Sequence, residues 1–578
     1  MTSTPQKRIL LTGVFGPYGV DDEYGRKENI MELFHNQVTK GQGTASFRFL
    51  HRSFGLYFIA ANLDADVTVL DFPSKKRFER EIKKGYDIVG ISFIAPNFTK
   101  AREMGRLIRT HAPDSTIILG GHGAAIEGVE KQIDCDHVAK GEGIRWMRRF
   151  IGQNLDDPFV HPAMPSTERQ SIYGVPLPGP TAGLLVTGVG CVNGCSFCCT
   201  SHFFQKTYTP FIGDGRELFE TCRRIADIRG SDTFFIMDEN FLKKRERAME
   251  LIAEMEKHNR FFKFHVFSSA EALTAFGMDN LVRLGAQFVW IGFESQSRQD
   301  TFVKNKGIDP KQLVKDMRDR GVSVLASGIL CMEHHTPENI QEDIDFLVGL
   351  EADLVQFMLL TPLPTTALYQ DHKARGIFKE DVAWEDSHGQ KKLNYHHPAF
   401  SDDEPEQWLN KAFRQEFEVN SSSMYRVADT SVRGYNYLAA KPSLDACLEA
   451  RKAQLEERAR EYGCMTSTIA WYAVNEKERQ RAHELRRDLQ AAFGKPTIKE
   501  KLMRAGALAM AIRWRLRTRL VGDRIQPATI VTRFEPKERG AGKSPVPLIN
   551  IGSSFIEEIS RPTAAAAMVR VEQSSLVP

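Results

Sequence analysis

Residues 183–204 read GLLVTGVGCVNGCSFCCTSHFF, an apolar run followed by four cysteines within nine positions. The apolar run predicts a buried strand, and the glycines and cysteines after it predict a loop at the carboxyl end of that strand. The chain has 578 residues and nine cysteines, so nearly half of its thiols are gathered in this one loop. The clustering indicates a site built from cysteines.

The cysteine loop follows the first of six predicted strands that alternate with amphipathic helices. Six βα units in a row predict a parallel barrel of the TIM type, complete or partial, and the chemistry of such barrels lies in the loops after the strands. The predicted strands are 183–188, 233–238, 263–269, 287–295, 323–332 and 354–362, and the predicted helices include 215–228, 243–258, 310–320 and 337–350. The cysteines therefore fall at the functional face of the barrel.

A shorter series of the same kind precedes the barrel. Predicted strands at 8–14, 66–71, 87–93, 116–120 and 137–139 alternate with helical segments that include 78–84 and 98–111. This pattern is typical of a Rossmann-like, doubly wound sheet, whose ligand crevice lies at the carboxyl ends of the strands. Small residues stand at those ends, although glycine in tight strand-to-helix turns explains some of them equally well.

The predicted fold class is α/β, with a Rossmann-like domain, a partial (βα)6 barrel and a mostly helical C-terminal region. The expected divisions are a first domain at 1–155 with a glycine-rich insertion at 16–54, a proline-rich linker at 156–180, a barrel at 181–375, a substrate-covering region at 376–470, and a basic helical extension with a mobile tail at 471–578.

Composition limits the partners and the compartment. A net charge of +3 and a pI near 8.2 do not predict a nucleic-acid partner. The chain lacks a signal peptide and lacks an apolar stretch of the roughly 20 residues that a membrane span needs, so we expect a cytoplasmic protein with reduced thiols. The basic segment Ile498–Leu520 predicts an amphipathic helix that either lies on an anionic membrane or packs on its own domain.

The spacing of the cysteines is Cys191-x3-Cys195-x2-Cys198, with Cys199 directly after. Zinc sites usually need four ligands in two pairs, and the chain has no suitable second pair. Three close thiolates suit a [4Fe–4S] cluster with one open iron. Buried small hydrophobes are the alternative, which the clustering disfavours. Cys199 is either a small packed residue or a thiol near the cluster.

The segment CVNGCSFC, with an aromatic residue before its third cysteine, resembles the cluster loop of the radical S-adenosylmethionine superfamily. FIMDENF and WIGFES resemble the segments of that family that meet the cofactor, and GILCMEHHTPENI and FMLLTPLPTTALY resemble its last two strand ends. The resemblance covers about 181–375. It implies that Cys191, Cys195 and Cys198 hold the cluster and that S-adenosylmethionine is contacted by Asp238, Glu239, Asn240, Ser268 and Glu294.

The first 150 residues resemble the cobalamin-binding domain that precedes the barrel in one large subgroup of this superfamily. The resemblance implies cobalamin contacts from Ser92, Gly120, Gly121, Gly141 and Glu142. The Asp-x-His-x-x-Gly signature that ligates cobalt in other cobalamin proteins is absent, which leaves the lower axial ligand open.

The resemblance implies an enzyme that cleaves S-adenosylmethionine to a 5′-deoxyadenosyl radical and removes hydrogen from an unactivated carbon, with cobalamin-dependent C-methylation as the outcome. Radical oxidation, cyclisation or carbon–carbon coupling of a lipid-like or natural-product substrate is the alternative. An iron–sulfur electron carrier or redox sensor is the alternative of another class. Expected partners are a small-molecule or lipid-like substrate and an electron donor such as flavodoxin or ferredoxin. No catalytic residue is assigned beyond the cofactor ligands.

Overall fold

The structure is a computed structural model that describes residues 7–18, 23, 42, 47–172, 175–176, 180–297, 302–521, 526–536 and 569–573. Most of the insertion predicted at 16–54 and most of the tail after 536 lie outside these residues, so the expectations for both segments stay predictions.

Strands and helices alternate through most of the described chain. The strands are β1 (Arg8–Thr12), β2 (Phe47–His51), β3 (Asp66–Asp71), β4 (Ile88–Ser92), β5 (Thr116–Gly120), β6 (His137–Val138), β7 (Thr167–Ile172), β8 (Val175–Pro176), β9 (Gly183–Leu185), β10 (Gly188–Val189), β11 (Thr209–Pro210), β12 (Thr233–Ile236), β13 (Lys263–Phe267), β14 (Ala286–Glu294), β15 (Ser323–Leu330), β16 (Leu354–Leu359), β17 (Ile530–Phe534) and β18 (Val569–Gln573). 

Most helices of the first two domains connect parallel strands, and most of those after β16 form a separate helical region. They are α1 (Phe54–Ala61), α2 (Lys75–Ile82), α3 (Phe98–His111), α4 (Gly143–Phe150), α5 (Cys199–Phe203), α6 (Gly215–Arg229), α7 (Arg245–Lys257), α8 (Ala270–Phe276), α9 (Met278–Leu284), α10 (Pro310–Asp319), α11 (Ile340–Gly349), α12 (Ala367–Ala374), α13 (Glu404–Asn420), α14 (Ser423–Ala439), α15 (Ala446–Gly463), α16 (Thr466–Tyr472), α17 (Glu476–Phe493) and α18 (Ile498–Val521).

The first sheet has the order β18-β17-β3-β1-β4-β5-β6. Its five strands from β3 to β6 are parallel, in the order of a doubly wound domain. Apolar side chains on both faces of these strands form two cores, one around Phe78 and Met104 and the other around Tyr57 and Met147. Burial on both faces explains why the strands are nearly continuous apolar runs.

The second sheet contains six parallel strands in the order β16-β15-β14-β13-β12-β9. The order of the strands in the sheet follows their order in the chain, so each strand lies beside the next. Among the described residues, no pairing closes β9 onto β16. This is an open (βα)6 barrel. The α/β fold class, with a Rossmann-like domain, a partial barrel and a helical region, is confirmed.

Two features, one in the first sheet and one in a separate three-stranded sheet, were not expected from the sequence. Strand β17 runs antiparallel to β3, with Val531 opposite Leu70, and β18 pairs with β17. The chain therefore returns from its C-terminal region to complete its first domain. In addition, β7 lies inside the predicted linker 156–180 and pairs with β2 and β8.

The helical region divides between the two ends of the barrel, which corrects the expectation that 376–470 as a whole covers the substrate. Four buried arginines, from α10, α14 and α15, donate to backbone carbonyls that precede the barrel strands. These bonds join Arg318 to Glu351, Arg426 to Ala352, Arg451 to Phe262, and Arg458 to Gly321. Helices α14 and α15 therefore seal the amino ends of the strands, away from the cysteine loop.

Residues 376–403 lie at the other end of the barrel. The backbone amide of Leu359 donates to Gly389, the Asn394 side chain donates to the carbonyl of Pro362, and the Tyr395 hydroxyl donates to the carbonyl of Cys331. Leu359, Pro362 and Cys331 lie at the carboxyl ends of β15 and β16 or directly after them. Only this part of the predicted covering region lies at the functional face.

None of the described helices is both long enough and apolar enough to cross a membrane.

Candidate functional site

The cysteine loop is held by side chains of its own segment. The Ser201 hydroxyl donates to the carbonyl of Cys191 at 2.7 Å and accepts the amide of Gly194 at 3.0 Å. Gly190 has a φ of +91°, and a Cβ there would lie 2.2 Å from the carbonyl oxygen of Thr207. This position therefore requires glycine, which explains part of the spacing before the cysteines.

The three thiols of the CxxxCxxC segment are partly accessible and close enough to influence one another electrostatically. Burial raises the pKa of all three, that of Cys198 to about 11. Thiols in such surroundings are protonated in the free protein and become thiolates when a metal binds. Three sulfur donors on one short loop fit an iron–sulfur cluster.

The fourth cysteine of the loop points elsewhere. The Cys199 Sγ lies 3.4 Å from Nδ1 of His122, in the loop after β5 of the first sheet. The His122 ring packs 4.6 Å from that of Phe203, and burial lowers the pKa of this histidine to about 4. Cys199 therefore forms a contact between the two domains.

The segment Asp238-Glu239-Asn240 follows β12, and its outer two side chains hold the site together. One oxygen of Asp238 accepts bonds from Thr187 at 2.5 Å, Tyr208 at 2.8 Å and Arg247 at 2.9 Å. Both partners of the Asp238–Arg247 ion pair are buried. Asp238 is thus fully engaged with its own chain.

Asn240 joins the ends of two neighbouring strands. Its side-chain oxygen accepts the hydroxyl of Ser268 at 3.3 Å and the amide of Ser269 at 3.1 Å, and its nitrogen donates to the Ser269 hydroxyl. Ser268 and Asn240 are both buried. These two side chains hold the carboxyl ends of β12 and β13 in place next to Glu239, the residue between Asp238 and Asn240.

The residue between them, Glu239, has an accessible side chain. Desolvation by the surrounding residues and the charge of Asp238 raise the pKa of its carboxyl group, and a hydrogen bond with Thr200 opposes this shift. The Glu239 charge also raises the pKa values of Cys191, Cys198 and Cys199. An accessible carboxylate whose charge influences three nearby thiols is suited to receive a cationic ligand.

Glu294 ends β14 in a strained conformation, with a φ of +66°. Its carboxylate forms an ion pair with Lys304, and both groups are largely buried. Burial alone lowers the pKa of Lys304, but Glu294 and the thiols of Cys195 and Cys198 raise it overall. A Cβ at Gly292 would lie 2.3 Å from Glu294 Oε1, so glycine leaves room for the pair.

The residues predicted to contact cobalamin divide into two groups. Gly141 has nothing within 4 Å of an added Cβ, the nearest atom at Gly120 is 4.0 Å away, and Ser92 is partly accessible, so these positions border open space. An added Cβ at Gly121 would meet the carbonyl of Phe93 at 2.5 Å. Glu142 caps α4, because its carboxylate accepts the backbone amides of Ile144 and Arg145. A ligand could therefore approach Ser92, Gly120 and Gly141, whereas Gly121 and Glu142 have contacts within the fold, and all five cobalamin contacts stay predictions.

The carboxyl ends of the two sheets face each other. Besides the Cys199–His122 contact, Lys373 of α12 pairs with Glu127 at 2.8 Å, and the backbone amide of Thr99 donates to Glu385 at 2.8 Å. Glu127 and Thr99 follow strands of the first sheet, whereas Lys373 and Glu385 follow β16. Ligands held at the two sets of strand ends would therefore meet in one space.

Sequence reasoning missed Lys304, His122 and the partners of Asp238. One signal for Arg247 existed, because it lies one turn before Leu251 on the buried face of α7 and is a charge among apolar residues. Lys304 lies in a short polar stretch, where no periodicity distinguishes a buried lysine from a solvated one. His122 contacts Cys199 only because the barrel lies against the first domain, and the sequence around His122 does not show this contact.

Comparisons with known proteins agree with this arrangement. Residues 43–150 match the family model of the B12 binding domain, and residues 185–347 match that of the Radical SAM superfamily. An uncharacterised methyltransferase of Pyrococcus horikoshii is 22% identical over 55% of this chain and 77% of its own length. The bacteriochlorophyllide d C-8(2)-methyltransferase of Chlorobaculum tepidum is 24% identical over 50% of this chain and 69% of its own length.

The fold is also shared with a solved protein. The radical S-adenosylmethionine methyltransferase TsrM from Kitasatospora setae, solved with cobalamin and a [4Fe–4S] cluster bound, matches with a TM-score of 0.51 at 15% identity, over 79% of this chain and 99% of that chain. Both family models match in the order expected, ahead of and within the barrel. The chain is therefore an enzyme that carries a B12-binding domain at residues 43–150 and a Radical SAM domain at residues 185–347.

Proposed function

We propose that the enzyme transfers a methyl group to an unactivated carbon of a small-molecule substrate in the space between the two sheets. The observation that carries this proposal is that the open strand ends of the B12-binding domain face the cysteine loop of the barrel, with Cys199 against His122 at 3.4 Å. A methyl carrier and a radical source have to reach the same substrate atom, and this arrangement brings their two binding faces together.

When bound, a [4Fe–4S] cluster supplies the electron that cleaves S-adenosylmethionine to a 5′-deoxyadenosyl radical, and cobalamin carries the methyl group. Cys191, Cys195 and Cys198 would hold the cluster. Ser92, Gly120 and Gly141 would border the cobalamin. The chain's own contribution is to bind, orient and exclude water from these groups.

The acidic residues have separate tasks in this proposal. Glu239 would receive the methionine ammonium of S-adenosylmethionine, because its carboxylate is accessible, lies close enough to the thiols to raise their pKa values, and, unlike Asp238, forms no ion pair among the described residues. Glu294, held by Lys304, would accept the ribose hydroxyls. Asp238, Asn240 and Ser268 would position these groups without touching the cofactor.

The partners follow from the same chemistry. The reaction consumes electrons, so a one-electron donor such as flavodoxin or ferredoxin is part of the proposal. The substrate is a small molecule, which includes a lipid-like one, and residues 376–403 would cover it. Peripheral contact with a membrane through Ile498–Leu520 is also proposed.

The test is product analysis after anaerobic purification and reconstitution with iron, sulfide and cobalamin. With S-adenosylmethionine and a reductant, we expect 5′-deoxyadenosine from the native enzyme and none from Cys195→Ala. The matched control is Cys135→Ala, a partly buried cysteine of the first domain outside the cysteine loop, which should behave like the native enzyme.

Labelled methyl groups then separate the possible outcomes. Transfer of the label from S-adenosylmethionine to a product supports C-methylation. Formation of 5′-deoxyadenosine without label transfer supports radical oxidation, cyclisation or coupling. A cluster-loaded native enzyme that produces neither in the presence of candidate substrates contradicts the proposal and favours an electron carrier.

A further inference from the structure

Helix α18 exposes a continuous apolar stripe along its whole length. At 3.6 residues per turn, seven apolar residues fall within about 40° of one line on the helix surface. Four of them have exposures of 77%, 69%, 55% and 84%: Ile498, Leu502, Leu516 and Leu520. The outward stripe, as we name this set, consists of Ile498, Leu502, Ala505, Ala509, Ile512, Leu516 and Leu520.

The opposite side of α18 is already occupied by the protein. Ala507 and Ala511 are buried against Met465 and Ile469, and small side chains there allow close approach. The helix is thus docked through one narrow face, and the outward stripe is not needed for this packing. Exposure of so many large apolar side chains is unusual unless a partner covers them.

Cations flank the outward stripe on both sides. Lys501 and Arg519 lie on one side, and Lys499, Arg513 and Arg517 lie on the other. The one acidic residue of α18, Glu500, is turned inward and pairs with Arg460 at 3.0 Å. The outward half of the helix is therefore apolar along its centre, basic along its edges and free of carboxylates.

This distribution favours one class of occupant. A second copy of the chain would bring the same row of cations against this one, which is repulsive. Nucleic acid matches the cations but not the large leucines between them. An anionic bilayer matches both, because acyl chains accept the leucines while long basic side chains reach the headgroups.

We propose that α18 docks the enzyme on a membrane surface rich in anionic lipid, through the outward stripe and its flanking cations. This inference deepens the partner part of the proposed function and is independent of the radical chemistry. Helix α18 would lie parallel to the bilayer plane, with the helical bundle of α14 to α17 above it.

The test is flotation of the full-length reconstituted enzyme with extruded vesicles. One set contains phosphatidylcholine alone, and the other also contains phosphatidylglycerol. We expect flotation with the anionic vesicles and loss of flotation at high salt, since the headgroup attraction is screened. Leu502→Glu with Leu516→Glu should lower the partition coefficient at least about tenfold. Arg513→Gln with Arg517→Gln should lower it about fivefold per cation.

Matched controls place the same changes on other exposed surfaces. Ile228 and Val419 are 39% and 41% exposed, and Ile228→Glu with Val419→Glu should float like the native enzyme. Each variant is also tested for thermal unfolding and 5′-deoxyadenosine formation in the absence of vesicles, which α18 should not affect. Flotation needs no catalysis, so its failure and the failure of the proposed reaction are separate results.

Several results would overturn the proposal. These are absence of flotation by the native enzyme, equal flotation with neutral and anionic vesicles, or equal loss in the control variants. An oligomer of the native enzyme that Leu502→Glu with Leu516→Glu dissociates would assign the stripe to a second copy instead.

Discussion

Adjacent residues at the end of β12 have opposite roles. The Asp238 carboxylate accepts hydrogen bonds from Thr187, Tyr208 and Arg247, whereas the Glu239 side chain is accessible and its charge influences the nearby cysteines. Both are acidic residues in a loop where ligands are expected, so the sequence makes them equal candidates. The structure separates them because a buried arginine can neutralise only the one that it reaches.

The two carboxylates should therefore respond differently to the same substitution. Asp238→Asn leaves Arg247 buried without a counter-charge, which costs about 3–5 kcal/mol and should lower the thermal midpoint. Glu239→Gln should leave the midpoint unchanged and weaken binding of S-adenosylmethionine, measured by equilibrium dialysis on the reconstituted enzyme. Unchanged binding by Glu239→Gln would contradict the assignment of this residue.

His161 is a buried imidazole that should make stability depend on pH. Its Nε2 accepts the amide of Val186 and its Nδ1 donates to the carbonyl of Pro162, so the neutral ring is fully bonded. Burial lowers its pKa to about 3. Because the unfolded chain binds this proton near pH 6.5, the stabilisation is complete above that pH and is lost as the pH falls towards 3.

The expected loss is up to about 1.4 kcal/mol per pH unit for this one imidazole. Thermal midpoints measured between about pH 7.5 and 5.5 should fall, and His161→Gln should have a shallower dependence because the titrating group is gone. His483→Gln, an exposed histidine of α17, serves as the control and should keep the native slope. Identical slopes for all three proteins would contradict this account.

At the scale of elements, periodicity predicted the five parallel strands of the first sheet, the six strands of the barrel and six of the helices beside them, but not α1, α4, α5, α8, α9 or α12. The strands 66–71 and 116–120 and the helix 98–111 agree with the observed ends, and most others differ by a few residues. The alternation of apolar and polar residues in a buried strand or an amphipathic helix lies within that segment itself. The sequence of the segment is therefore enough to predict it. The cysteine loop also lies after the first barrel strand, as predicted, whereas its role as a cluster ligand stays a prediction.

The packing of α14 and α15 was not predictable in the same way. On α15, Cys447, Arg451, Leu455 and Arg458 are buried along one face, so two arginines interrupt the apolar stripe. Sequence reasoning assigns arginines to the solvated face of a helix, so it did not predict which face of α15 is buried. The arginines can be buried because backbone carbonyls before the barrel strands accept hydrogen bonds from their guanidinium groups.

One of these arginines allows a sharp test. Arg458 donates to the Ser431 hydroxyl and to the carbonyls of Gln287 and Gly321, all at 2.6–2.7 Å. Arg458→Met leaves these acceptors without partners, so we expect a loss of about 3 kcal/mol or more in stability. The rate of 5′-deoxyadenosine formation per folded enzyme should not change, because the site lies at the opposite end of the barrel.

The control for Arg458→Met is Arg487→Met, whose side chain is 73% exposed in α17. Its thermal midpoint should stay close to that of the native enzyme. A similar fall in both variants would show that the carbonyl contacts of Arg458 contribute little.

At the scale of the whole molecule, the first domain depends on residues from the end of the chain. Phe534 of β17 packs among the buried side chains of the first sheet, 6.4 Å from the ring of Tyr57, and β17 pairs with β3 along five residues. No sequence pattern joins two segments this far apart, because an edge strand can be supplied by any part of a chain.

Phe534→Ala should therefore destabilise the first domain by about 3–5 kcal/mol. Hydrogen exchange followed by mass spectrometry should show faster exchange in 66–71, although the substitution is distant in sequence. Val419→Ala, an exposed position of α13, should leave this exchange unchanged. Faster exchange confined to 526–536 would contradict the dependence of β3 on β17.

The pairing of β17 with β3 also bears on how the protein is made. A ribosome adds roughly 5–20 residues per second, so roughly 20–90 s separate the emergence of β3 from that of β17. During that interval one edge of the first sheet has unpaired backbone amides and carbonyls and apolar side chains that lack their cover. Nascent chains arrested before Ile530 should thus be the form most prone to aggregate and most dependent on chaperones. Expression of the enzyme at lower temperature should increase the fraction of chains that reach β17 without aggregating.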